Sequence, residues 1–148
     1  LLRRGGLFYF TINFDGATIF EPVIDSKFDA EIERLYHQTM DERMTNGGLS
    51  GDSRTGRHLF RWLRECGAEI LQAGSSDWVL FGGKDGFSKD EAYFLHFIID
   101  TVRGALEHRP ELGDRRAQFR EWIARRHRQI DDGTLVYIAH QLDFVGRR

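Results

Sequence analysis

Asn13, Phe14 and Asp15 close an apolar run that begins at Leu7, and they are the first residues of the chain whose types suit a binding site. On an extended segment Phe8, Phe10, Ile12 and Phe14 share one face, while Leu7, Tyr9, Thr11 and Asn13 share the other. The second face turns from apolar to polar at Thr11 and Asn13, which is the change that a pocket mouth needs. Ligands of open α/β sheets lie beyond the carboxyl ends of the strands, so Thr11, Asn13, Phe14 and Asp15 are candidate substrate contacts. The same residues also suit an Asx-type turn closed by Gly16, which requires no ligand.

Two imidazoles stand as candidate proton acceptors, His37 in a helical stretch and His140 in the closing β-run. A helix-surface or strand-packing role accounts for either one more simply. Arg57 and His58 follow Thr55, a helix-capping residue, and can point basic groups toward an anionic substrate or serve as ordinary helix-surface charge. His96 and Asp100 lie four apart on one helix face, a spacing that suits two metal ligands, but no third ligand joins them in the sequence, and no metal site is expected. Arg115, Arg116, Arg120, Arg125, Arg126 and Arg128 make one helix conspicuously basic. Its apolar stripe is needed for packing and acidic neighbours dilute its field, so nucleic acid is not the expected partner.

The elements that must hold these groups follow from periodicity. A strand apolar on both faces, as at 7–14, belongs inside a sheet covered by helices on two sides. Leu1 to Arg4 ahead of Gly5 and Gly6 read as the last turn of a helix. Residues 16–22 read as loop with some strand character, ended by Pro22. A helix is expected over 25–45, capped by Ser26, with Phe28, Ile32, Leu35, Tyr36, Met40 and Met44 on one stripe. The glycine-rich NGGLSG at 46–51 suits a mobile loop or a plain connector. Next come a helix over 55–65 with Leu59, Phe60, Trp62 and Leu63 inward, and two β-runs at 68–72 and 77–81. These runs form either a hairpin or one strand with a bulge. Helices over 89–107 and 114–130 and a strand over 134–148 complete the chain.

The chain has 148 residues, 41% hydrophobic and 13% aromatic, enough for a real core. Its 21 basic and 23 acidic residues leave a net charge of −2, so no global field favours nucleic acid or an anionic membrane. No stretch reaches the roughly 18 uncharged apolar residues of a membrane span. The single cysteine, Cys66, excludes an internal disulfide, is expected buried beside Trp62 and Leu63, and fits a reducing, cytoplasmic compartment.

In order, RRGGLFYFTINF, TGRHLFRWLRECG, AEILQAGSSDWVLF and LVYIAHQLDFVGR resemble the C-terminal half of a class I S-adenosylmethionine-dependent methyltransferase. In that family a helix ending in L-x-x-GG leads into the fifth strand of a seven-stranded Rossmann-like sheet, and the last two strands form an antiparallel excursion. Leu1, Leu2, Gly5 and Gly6 match the first feature, and the closing segment would be the seventh strand. The resemblance implies an α/β fold, the C-terminal part of a Rossmann-like sheet, with helical insertions at about 25–46 and 88–131. It further implies that the cofactor-binding half, with its glycine-rich turn and ribose-binding acid, lies outside these residues.

The activity so implied is methyl transfer from S-adenosylmethionine to a small-molecule acceptor. Thr11, Asn13, Phe14, Asp15, His37, Arg57 and His140 would then be substrate-side residues, and a homodimer is possible. The reaction needs alignment above all, and a base only where the acceptor must lose a proton. The rival expectation is a non-enzymatic module that self-associates or binds a partner through its apolar helices. With the resemblance goes a short mixed sheet of three or four strands whose first strand sits beside a strand outside these residues; in the rival module the strands merely support the helices.

Overall fold

The last strand of the chain is the centre of its sheet. In the computed structural model, which describes residues 2–148, β1 (Leu7–Glu21) pairs antiparallel with the closing strand along almost its whole length. The chain then runs through α1 (Ser26–Asp41), a small hairpin of β2 (Met44–Thr45) and β3 (Gly48–Leu49), and α2 (Thr55–Glu65). It continues through β4 (Glu69–Ser75), β5 (Trp78–Phe81) and α3 (Lys89–Leu106). A 3-10 turn (Pro110–Arg115) leads to α4 (Arg116–Asp131) and finally β6 (Val136–Arg147). β4 pairs with the C-terminal half of β6 and β5 with its N-terminal half, both antiparallel, so the two form one interrupted strand rather than a hairpin. Every pairing among the described residues is antiparallel; the mixed sheet expected from the sequence is not found here.

Alternation along β6 gives the sheet two covered faces. Tyr137 and Ala139 point into the main core, where Phe28, Ile32 and Leu35 of α1, Leu95, Ile99 and Val102 of α3, and Phe119, Trp122 and Ile123 of α4 are buried. Phe20 packs against Tyr137 at a tilt and Phe94 meets it edge-on, and Trp78 packs on Phe94 at 4.3 Å. Leu142 and Phe144 point the other way and meet α2, through Gly56 and Phe60 respectively. No helix of the described residues is long and apolar enough to cross a membrane.

Several expectations change. The strand does not end at Asp15-Gly16 but continues to Glu21, because two bulges absorb the irregular residues and return Thr18 to Phe20 to the ladder. The cap of α1 is Asp25, whose carboxylate accepts from the Lys27 and Phe28 N–H groups, and not Ser26. That helix stops at Asp41, and the glycine-rich segment beyond it is the β2–β3 hairpin. Asn46 and Gly47 both take positive φ at its turn, as a two-residue connection requires. Leu2 to Gly6 form a turn instead of a helix end, and Leu1 lies outside the described residues. Cys66, the residue just after α2, is exposed, as are Phe60 and Trp62; of the four residues expected inward only Leu63 is buried, since α2 docks along its Gly56–Leu63 side.

Candidate functional site

Three irregularities of the sheet meet at one stretch of β6. On the β1 side, Thr11 and Ile12 together face Asp143, and three residues further on Asp15, Gly16 and Ala17 together face His140. On the other side, the ladder is interrupted between Ser75, opposite Leu142, and Trp78, opposite Ala139. His140 therefore lies between a bulge and a break. Bulges turn side chains out of their regular direction, and here they bring four polar residues from four segments together.

Asp15 is the most buried of them at 4% exposure. Gly16, at φ +69°, gives the chain the left-handed step that pushes Asp15 out of the ladder. The carboxylate then reaches the start of α2, where Oδ1 accepts the Arg57 backbone N–H at 2.8 Å. The Arg57 guanidinium donates to both oxygens, Nε to Oδ1 at 2.9 Å and Nη2 to Oδ2 at 2.9 Å. Helix α2 has no side-chain cap of its own, so Asp15 caps it from the sheet. This approach requires Gly56, because a Cβ there would lie 2.8 Å from the Asn13 carbonyl oxygen and 2.9 Å from the Asp15 Cβ. Burial pushes the Asp15 carboxyl up, but the side-chain and backbone hydrogen bonds of Arg57 outweigh it and hold the group below its ordinary value.

His140 stands beside this pair, its Nε2 3.9 Å from Asp15 Oδ2. Its Nδ1 lies 2.8 Å from Asp77 Oδ1. Asp77 also accepts from the Ser75 hydroxyl at 2.6 Å and from the Gln141 N–H at 3.3 Å, and the first of these bonds, followed by that of His140, lowers its pKa. An ionised carboxylate only accepts, so the network assigns the ring proton to Nδ1 and leaves Nε2 free in the neutral imidazole. A histidine oriented by a carboxylate, with no hydrogen bond to its second nitrogen and its side chain one-third exposed, can take a proton from a bound group. The imidazolium so formed would face Asp77 on one side and Asp15 on the other.

The seven residues singled out from the sequence divide into separate places. Asp15, Arg57 and His140 come together. Phe14 turns to the opposite face of the sheet, where it meets His37 edge-on at 5.4 Å. His37 lines a polar cavity of about 390 Å³ with Glu33, Asp41, Ser53 and Arg54, and its Nε2 is 3.4 Å from Thr18 Oγ1. Burial lowers the His37 pKa in spite of Glu33 and Asp41, so the ring is neutral at neutral pH. Asn13 forms no Asx turn; its amide donates to the Leu142 carbonyl at 2.8 Å and ties β1 to β6. Thr11 is exposed in the first bulge beside Ile12, whose φ of +61° is a strained conformation for a β-branched residue, held by a hydrogen bond from its N–H to Asp143.

No family model matches the sequence, and no curated protein does.

Asp77 was not among the residues picked from the sequence. The signal for it is the polar GSSD between two β-runs, where a break in a strand leaves side chains free to turn. Arg126, counted in the basic helix, is fully buried between the Phe20 and Trp122 rings and donates to the Pro22 carbonyl and to Gln129. Arg115 pairs with Glu31 and Arg128 with Glu121. Half of that arginine row is thus committed within the fold, which weakens it further as a nucleic-acid surface. His96 does gain companions that its sequence neighbours did not reveal, namely His127 and Asp131 of α4.

Proposed function

We propose that this chain is the substrate-side part of an S-adenosylmethionine-dependent methyltransferase, with the Asp15, Arg57, Asp77 and His140 cluster on its acceptor side. The observation that carries the reading is the place of β6. It runs antiparallel between β1 and the β4–β5 strand, with helices on both faces of the sheet, as the antiparallel excursion at the end of the family's Rossmann-like sheet would require. The unpaired outer edge of β1 is then the side on which the cofactor-binding half adds its strands. S-Adenosylmethionine itself would be held by that half, and the group supplies an electrophilic methyl when bound. The residues described here would orient the acceptor and, for an acceptor carrying an O–H or N–H, receive its proton at His140 Nε2.

The test is calorimetric titration of the full-length polypeptide containing these residues with S-adenosylmethionine. Near-stoichiometric binding is the expected result, and the absence of binding overturns the reading. Exposed aromatic residues favour the second reading, a self-associating module. Tyr93 and Phe97, four apart on α3, are 76% and 57% exposed, an apolar strip that an enzyme's outer helix does not need. A full-length protein that binds no cofactor, and whose oligomers dissociate when Tyr93 and Phe97 are replaced by lysine, would establish that alternative.

A further inference from the structure

The rings of His96 of α3 and His127 of α4 lie nearly parallel, 21° apart, and meet through their Nδ1 atoms at 2.7 Å, with ring centroids 5.0 Å apart. Each ring has a carboxylate at its other nitrogen, contributed by the opposite helix. His96 Nε2 is 3.2 Å from Asp131 Oδ1, and His127 Nε2 is 3.2 Å from Asp100 Oδ1. The result is a four-membered chain, Asp131, His96, His127, Asp100, crossing between the two helices that cover the main core.

The number of protons in this chain follows from its geometry. An ionised carboxylate accepts only, so each Nε2 carries a hydrogen. With no further proton, the two Nδ1 lone pairs would face one another at 2.7 Å and repel. With two further protons, two N–H groups on two imidazolium rings would do so. One proton between the rings satisfies all three contacts, with a single positive charge flanked by two negative ones. We propose that His96 and His127 hold one shared proton in the folded protein and form a pH-sensitive latch between α3 and α4.

The linkage sign follows from counting protons. Unfolded, the two histidines hold together two protons below their ordinary pKa of about 6.5 and none above it. Folded, the pair holds one. Stability therefore rises with pH on the acid side, where the unfolded chain binds more protons, and falls with pH on the alkaline side, where it binds fewer. The latch is tightest near pH 6.5, where the two counts are equal. The other charged groups facing the pair are Arg103 of α3, which also contacts Asp100 Oδ1 at 3.1 Å, and Glu107 and Arg120 along the groove beside His127. The arginines would favour release of the shared proton and the carboxylates its retention.

The experiment is urea unfolding of the full chain from pH 5 to 9, comparing the parent with His96→Gln and His127→Gln. The expected difference is bell-shaped, with its maximum near pH 6.5 and shoulders that approach a tenfold change in the folding equilibrium per pH unit. A difference independent of pH overturns the latch. Should the variants fail to fold, nitrogen-resolved NMR of the parent's imidazoles decides the matter. One proton on the paired Nδ1 atoms at pH 6.5 supports the proposal, and two rings that each titrate fully and independently refute it.

Discussion

Asp15 caps a helix that belongs to another part of the chain, and its replacement should show what that bond contributes. In Asp15→Ala the Arg57 N–H loses its acceptor at a buried helix start, which costs about 1–2 kcal/mol, readable in urea denaturation. The pH dependence has a definite sign. The folded pKa of Asp15 is below the ordinary value of 3.8, so its stabilisation is complete above that value and is lost as pH falls through the lower folded one. The gap between the parent and Asp15→Asn should accordingly be constant from about pH 5 upward and close only in stronger acid. A gap that widens in acid would show that Asp15 is not held as a carboxylate. Asp15 was visible in the sequence as a polar residue at the end of an apolar run, but its role was not. Its partner Arg57 is 42 residues away, and Asp77 and His140 are 63 apart. Such pairings depend on sheet register, which no local pattern encodes.

At the level of elements, the helices were legible where one apolar stripe governs both packing and length. The bounds of α2 coincide with the expected 55–65, closed by Gly67 at φ +75°, although its start is capped by Asp15 from the sheet and not by the expected Thr55. The bulges of β1 were not legible, since a bulge exists only relative to the strand it pairs with, and β6 lies at the far end of the chain. The same tertiary dependence makes glycine substitutions diverge. Gly56→Ala should gain about 1 kcal/mol of helix propensity, but its methyl would press on the Asn13 carbonyl and the Asp15 Cβ, backbone and buried neighbours that cannot yield. We expect a net loss of about 1–3 kcal/mol as α2 is pushed off the sheet. Gly104, inside α3, has open space where its Cβ would be, so Gly104→Ala should stabilise by about 0.5–1 kcal/mol. Thermal denaturation of the two variants tests both signs, and a stabilised Gly56→Ala would mean that α2 does not dock as closely as the structure places it.

For the whole molecule the decisive feature is the outer edge of β1. Leu7, Tyr9, Phe10, Ile12 and Ile19 are all 41–69% exposed on a 15-residue strand that is paired on one side only. Soluble proteins protect such edges with charge, brevity or cover. Two bulges interrupt this one, yet the segment from Leu7 to Phe10 between its start and the first bulge is regular, apolar and open to pairing. Expressed as these 148 residues alone, the protein should self-associate with rising concentration, and Tyr9→Lys should shift it toward monomer in sedimentation velocity. Replacing Tyr93 and Phe97 on α3 should leave that association unchanged. The comparison separates the two functional readings, because an edge completed by further strands is what a divided Rossmann-like sheet implies, whereas association through α3 is what a helical interaction module implies. A monomer at high concentration in the unaltered chain would show that β1 needs no partner, and the sheet would then be complete as it stands.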